Sequence, residues 1–258
     1  NMLLIVGLTC LVWPIVVLLL FSWLADRFDL AHGWMLALLA MPWLVAATLS
    51  IFRWPWLAAP QGERFTPYRC ALQTVYFSVL GLWWLFVLFL SGESAPLPWL
   101  PLLNPLELAQ LAVLALAVRW LWSEQSPAWL QRLRLFLLSA GGFLMVTFTT
   151  LRAVHHWGNV DWGSSMLSTS LAQTSLTLVW SVLGVLGWVI GSRRGNRGLW
   201  LAGAVLMGVV LVKLILVDRG NLGDAWGIGS FIAYGLLCTL VGYFAPAPPR
   251  NATQESAA

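Results

Sequence analysis

Eight long and almost uninterrupted apolar segments limit what this chain can fold into. Each has about 20 residues, the length of helix that crosses the hydrocarbon core of a bilayer. Strands of a membrane barrel would instead alternate in segments of about ten residues, and the runs do not alternate. The sequence therefore predicts an all-α, polytopic integral membrane helix bundle. The predicted spans are Met2–Leu24, Gly33–Phe52, Ala71–Leu90, Leu106–Trp122, Leu133–Leu151, Thr169–Gly191, Gly198–Val217 and Ala225–Phe244.

The charge content leads to the same class of protein. The 258 residues include only 14 basic and 10 acidic ones, and 60% are hydrophobic. A soluble domain carries about a quarter charged residues, and a disordered chain combines high charge with low hydrophobicity. Both classes are therefore excluded. Cys10, Cys70 and Cys238 are far apart and match no metal or redox spacing, so neither a metal nor a cofactor is predicted.

The basic residues alternate between the predicted loops. Most of them fall in the second, fourth and sixth loops and in the C-terminal tail. By the positive-inside rule, these segments and both termini are predicted to be cytoplasmic. The positive excess then reflects orientation and contact with anionic lipid, and no nucleic-acid partner is expected. The residues concerned are Arg53, Arg64, Arg69, Arg119, Arg132, Arg134, Arg193, Arg194, Arg197 and Arg250.

The chain is expected to have one folded region and one tail. Residues 1–244 are predicted to form a single transmembrane bundle, and residues 245–258, rich in Pro and Ala, a disordered cytoplasmic tail. Asn104, Pro105 and Glu107 are typical of a helix start, with an N-cap, Pro at the first helical position and Glu at the third. They predict that the fourth span begins at the outer surface.

Polar side chains cluster where the fifth span meets the sixth. Two of the three histidines, His155 and His156, are adjacent there, close to Arg152 and Asp161. A histidine near a carboxylate can act as a general acid or base, and arginine can hold an anion. The same residues could instead form an interfacial loop whose polar side chains hydrogen-bond to one another and bind no ligand. Adjacent histidines on a helix diverge by about 100°, which disfavours a shared metal.

The sixth and seventh spans carry further polar residues. Thr169, Gln173, Thr177 and Ser181 recur at four-residue intervals, so they share one helical face. This stripe predicts either helix–helix packing or a polar path. The glycines that follow it, Gly184, Gly187 and Gly191, would let helices approach closely. Lys213 lies inside the seventh span, and Asp218 follows it. The lysine could snorkel, pair with a carboxylate, or bind an anionic group together with Gln173 and Asp218.

Several short segments resemble one large bacterial family. They include Leu103-Asn-Pro-Leu-Glu-Leu-Ala-Gln110 and Leu151-Arg-Ala-Val-His-His-Trp157, and residues 170–180, 198–200, 212–218, 228–231 and 242–249. Together they are similar to the C-terminal part of predicted membrane proteins grouped as domain of unknown function twenty-three thirty-nine. The likeness covers roughly residues 101–249. Because members of that family are much longer, the resemblance implies that this chain is a C-terminal segment, and the initial Asn1 fits that expectation. The resemblance implies a multi-pass protein of the bacterial inner membrane, and it implies no activity.

Two classes of function remain open. No nucleotide, hydrolase or metalloprotease motif is present in the sequence, which favours a non-enzymatic transport or scaffold component of the cell envelope. The alternative is a membrane-embedded transferase that acts on a lipid-linked envelope substrate at the outer leaflet. His155 or His156 would be its base, oriented by Asp161, while Arg152 and Lys213 would hold a phosphate. In either case lipids are expected partners, together with other membrane subunits or the upstream part of the same polypeptide.

Overall fold

The computed structural model describes the backbone of residues 2–59, 62–216 and 225–244, and the side chains of residues 8, 10–59, 62–216, 228, 229 and 231–239. Within these residues the chain is helical and contains no strand. The helices are α1 (Met2–Arg27), α2 (His32–Phe52), α3 (Trp54–Ala58), α4 (Arg69–Leu88), α5 (Pro105–Leu121), α6 (Ala128–Gly158), α7 (Ser170–Arg193), α8 (Arg197–Leu216) and α9 (Ala225–Phe244). Two 3₁₀ helices, Gly62–Tyr68 and Ser164–Ser168, precede α4 and α7.

Each of the eight predicted spans corresponds to a long helix, and the all-α membrane fold is confirmed. Six segments of the described chain are long and apolar enough to cross a membrane. They are Cys10–Arg27, His32–Phe52, Gly62–Leu88, Ala128–Gly158, Ser170–Arg193 and Arg197–Leu216. Helices α5, with 17 residues, and α9 are outside this group, so the number of eight spans and the cytoplasmic termini stay predictions. The predicted tail, residues 245–258, lies outside the described residues.

The chain forms two compact units, Asn1–Arg152 and Ala153–Ala258. In the first unit, α2 packs against α1, α4 and α5. Its core includes Ala47, Tyr76 and Leu80, which are fully buried. In the second unit, α7 packs against α8 and α9.

The first unit exposes large apolar side chains and buries large polar ones beside its apolar core. Leu82 is 70% exposed and Phe86 61%, whereas Gln73, Gln110 and Arg152 are among the largest fully buried side chains. Exposed apolar surface is stable against lipid tails, while polar groups must find partners inside the protein. This distribution is the one expected of a bundle surrounded by lipid.

A proline and a tyrosine join α1 to α4. Pro14 has no N–H, so the carbonyl of Cys10, four residues earlier, loses its helical donor. The hydroxyl of Tyr76 donates to that carbonyl oxygen over 2.9 Å. The hydrogen bond therefore satisfies a backbone group that the sequence of α1 leaves open.

Glycines bring α7 and α8 into close contact, as the sequence predicts for Gly184, Gly187 and Gly191. A Cβ at Gly203 of α8 would lie 2.3 Å from the backbone nitrogen of Trp188 and 2.6 Å from the carbonyl oxygen of Gly184. Only glycine fits at this distance, so the small residues set the approach of the two helices.

Candidate functional site

A buried ionic network joins α4, α5 and α6 in the first unit. Arg152 of α6 forms a salt bridge with Glu107 of α5, with 3.2 Å between Nη1 and Oε1, and neither side chain is exposed. The same Nη1 donates to Oε1 of Gln110 over 3.0 Å. Nη2 donates to the carbonyl of Val87 over 2.6 Å, and Nε donates to the carbonyl of Leu90 over 2.9 Å. One guanidinium therefore makes four hydrogen bonds to two segments of the chain, the C-terminal end of α4 and the start of α5.

The position of each partner explains why an arginine fits here. Val87 and Leu90 lie at the C-terminal end of α4, where carbonyls lack helical donors and the helix dipole favours a cation. Glu107 and Gln110 lie three residues apart near the start of α5, so they share one face. The planar fork of donors on Arg152 reaches both sets at once, which a lysine could not do.

The helix start that the sequence predicts holds Glu107 in place. The side-chain oxygen of Asn104 accepts the backbone N–H of Glu107 over 2.9 Å, and Pro105 occupies the first turn. Oε2 of Glu107 accepts the backbone N–H of Leu102 over 2.6 Å. Both carboxylate oxygens therefore have donors, and the charge of Glu107 is compensated without solvent.

Gly92 lets the backbone after α4 pass beside the guanidinium. Its φ is +70°, a conformation that L side chains rarely adopt. A Cβ at this position would lie 3.4 Å from Nε of Arg152 and 3.3 Å from Cδ2 of Leu106. A larger residue here would be strained and would press on the network.

These contacts define what the network can do. Charges inside a membrane protein are costly unless they are paired, and this pair is bound to the protein's own acceptors. Arg152, which the sequence suggests as a ligand-binding residue, is fully buried and uses four of its five N–H donors within the fold. These four hydrogen bonds are all to groups of the first unit.

His155 occupies a different setting, near the end of α6 in the second unit. Its Nδ1 lies 2.6 Å from the carbonyl oxygen of Val160. Because a carbonyl can only accept, Nδ1 is the donor in this hydrogen bond. The ring also meets His156 and Trp162 edge-on, at centroid distances of 4.6 and 5.8 Å. The turn that returns the chain to His155 includes Asn159, whose φ is +50°.

Asp161, which the sequence suggests as the orienting group, follows Val160 directly in the chain. Its side chain is exposed, and the carbonyl of Val160 is the group that holds His155. Across the part of the chain that the structure describes, no group of three or more His, Cys, Asp or Glu residues could hold a metal. His155, His156 and Asp161 belong to the second unit, whereas Arg152 ends the first.

Lys213 contacts the polar stripe of α7. Its Nζ donates to the carbonyl oxygen of Gln173 over 3.1 Å and to Oγ1 of Thr177 over 2.6 Å. The amide nitrogen of Gln173 donates in turn to the carbonyl of Leu167. The structure therefore brings together two of the predicted ligand-binding residues, Lys213 and Gln173, while Asp218 lies outside the described residues.

The partners of Arg152 are what sequence reasoning missed. Glu107 was predicted only as a residue of the helix start, and Gln110 was not predicted at all. A signal exists, because Glu107 and Gln110 put a carboxylate and an amide on one face of an apolar span, and such groups need a buried partner. The spacing does not say which of the basic residues supplies it.

Long helices with exposed apolar side chains define a class, the polytopic α-helical integral membrane proteins. The chain matches the model of a family described as predicted membrane protein (DUF2339) over residues 2–248, and it belongs to that family. The match confirms the resemblance seen in the sequence and extends it towards the N-terminus. No curated protein and no solved structure matches the chain.

Proposed function

We propose that this protein is a non-enzymatic scaffold component of the bacterial cell envelope, embedded in the inner membrane by several spans. One observation carries the proposal: three charged side chains inside the bundle, Arg152, Glu107 and Lys213, bind the protein's own helices. Groups that serve transport or catalysis must exchange partners with a substrate, and these groups already have partners within the fold.

The transport form of the same hypothesis would need a polar cavity bordered by Gln173, Lys213 and His155. The bonds of Lys213 to the carbonyl of Gln173 and the hydroxyl of Thr177 favour packing between α7 and α8 instead. Close contact through Gly203 favours packing as well. The scaffold form is therefore the better supported of the two.

One observation favours the alternative, a transferase acting on a lipid-linked substrate. The bond from Nδ1 of His155 to the carbonyl of Val160 would leave Nε2 as a base with a fixed direction. In that mechanism His155 would take the proton of the attacking hydroxyl, and Lys213 would hold the phosphate. The orienting group would be the Val160 carbonyl, because Asp161 is exposed.

The test compares complementation with folding. A strain that lacks the gene is complemented with the full-length protein carrying His155→Ala, His156→Ala or Lys213→Met, and the membrane level and melting temperature of each variant are measured. The scaffold proposal predicts that complementation follows the amount of folded protein in all three. A His155→Ala variant that reaches wild-type level and stability but does not complement would contradict it and support the transferase.

A further inference from the structure

An open apolar cavity of about 780 Å³ lies in the first unit, between α1 and α2, with α3 and Tyr76 of α4 at its border. Its lining residues are apolar or aromatic, with Cys10 among them. Met41 and Val45, which line it, are about half exposed, so the cavity opens to the surroundings of the bundle. We call it the α1–α2 groove.

The groove lies where two prolines interrupt neighbouring helices. Pro14 of α1 and Pro42 of α2 both line it. A proline inside a helix removes a backbone bond and its ring presses on the carbonyl four residues earlier, which bends the helix or weakens its regularity. Both carbonyls concerned belong to lining residues, Cys10 and Leu38. Both interruptions of the helical hydrogen bonds therefore lie at the wall of the groove.

The dimensions of the groove match one hydrocarbon chain of one leaflet. Its lining residues in α2 run from Leu38 to Leu49, which is about 16 Å of helix axis. The hydrocarbon core of a bilayer is about 30 Å thick, so the groove extends over about half of it. Its volume also falls within the range of about 300–1,000 Å³ that is usual for ligand sites.

A cation marks one end of the groove. Trp56 of α3 lines the groove and is 71% exposed, and the guanidinium carbon of Arg53 lies 5.9 Å from the centre of its ring. Arg53 is itself exposed, just after the end of α2. Tryptophan and arginine at the end of a span are typical of the headgroup level of a membrane. The apolar groove therefore ends at a site suited to a phosphate.

We propose that the α1–α2 groove binds an anionic glycerophospholipid, with an acyl chain between Pro14 and Pro42 and the phosphate at Arg53. Charge selects the class of lipid, because a basic residue at the membrane surface attracts an anionic headgroup and not a zwitterionic one. The site is independent of the scaffold function, since none of the residues of the Arg152 network lines the groove.

The experiment uses the full-length protein in nanodiscs of phosphatidylcholine. Trace phosphatidylglycerol or phosphatidylcholine carries a photoreactive diazirine in its acyl chain, and cross-linked peptides are identified by mass spectrometry. We expect labelling of the α1 and α2 residues that line the groove. Phosphatidylglycerol should be preferred about fivefold, because the attraction of one basic residue for an anionic headgroup changes the binding constant by about that factor.

Three variants make the test specific. Arg53→Gln should reduce the preference to about one, and Val45→Trp, at an exposed lining position, should reduce labelling by both lipids. The matched control is Arg134→Gln, because Arg134 also lies over a tryptophan, 4.8 Å from the ring of Trp122, but neither residue lines the groove. Equal labelling by the two lipids would overturn the proposal, and so would an equal effect of Arg53→Gln and Arg134→Gln. Lipid cross-links to a protein helix that fills the groove, in place of the residues that line it, would overturn it as well.

Discussion

The hydroxyl of Tyr76 takes the place of the N–H that Pro14 lacks. Removing it with Tyr76→Phe leaves the carbonyl of Cys10 without a donor in an apolar setting, so the free energy of unfolding should fall by about 1 kcal/mol. Pro14→Ala restores the helical donor, and in that background Tyr76→Phe should cost much less. Unfolding in mixed micelles, measured for both single variants and the double variant, gives the coupling.

Tyr68→Phe is the matched control for this cycle. Tyr68 is 49% exposed, so loss of its hydroxyl should change the unfolding free energy by no more than about 0.5 kcal/mol. If Tyr76→Phe costs the same with proline or alanine at position 14, its hydroxyl does not compensate for the proline.

Single residues also show where sequence reasoning reaches its limit. A lysine inside an apolar run needs a partner or a route to water, so an interaction of Lys213 was predictable. Its acceptors were not, because one is the backbone carbonyl of Gln173, and any residue of α7 offers a carbonyl. The rotation of α8 about its axis determines which acceptor of α7 the lysine reaches. This rotation cannot be predicted for a helix that is apolar on all sides.

At the scale of elements, glycines control the approach of α7 and α8. Gly203→Ala would place a Cβ 2.3 Å from a backbone nitrogen of α7, so the helices must separate, at a cost of about 1–3 kcal/mol. Gly208→Ala lies on the same helix, and nothing is within 4 Å of its Cβ position. That control should be neutral or stabilising by up to about 1 kcal/mol, from helix propensity alone.

Thermal unfolding of the two variants in detergent checks this prediction. A fall in melting temperature for Gly203→Ala only is the expected result. Equal melting temperatures for Gly203→Ala and Gly208→Ala would mean that α7 and α8 are not in close contact through these glycines.

The helices themselves were largely predictable, because apolar length is what a bilayer requires. Their ends were less so: the fifth span was predicted as Leu133–Leu151, whereas α6 runs from Ala128 to Gly158. Charged residues such as Arg134 and Arg152 interrupt an apolar run but not the backbone hydrogen bonds of a helix. The short α3 was missed because it has only five residues.

At the scale of the whole molecule, the sequence indicates how charges are distributed across the membrane but not which helices are neighbours. Eight apolar runs of similar composition can pack in many orders, so neither the two compact units nor the partnership of residues 107 and 152 follows from the sequence. The cap at Asn104 was predictable because it is local. The ion pair was not, because it joins distant parts of the chain.

The central claim is that buried charged side chains stabilise the packing of the helices. The pair of Arg152 and Glu107 in the first unit tests this claim most directly. The measurement is the unfolding free energy of Arg152→Met, Glu107→Gln and the double variant, with Arg132→Met, exposed on α6, as control.

Each single variant should cost about 3–5 kcal/mol, because it leaves one buried group without its partner. The double variant should cost at least about 2 kcal/mol less than the sum of the two, and Arg132→Met should change the free energy by less than about 0.5 kcal/mol. Additive losses within about 0.5 kcal/mol, or a Glu107→Gln variant as stable as the wild type, would contradict the account.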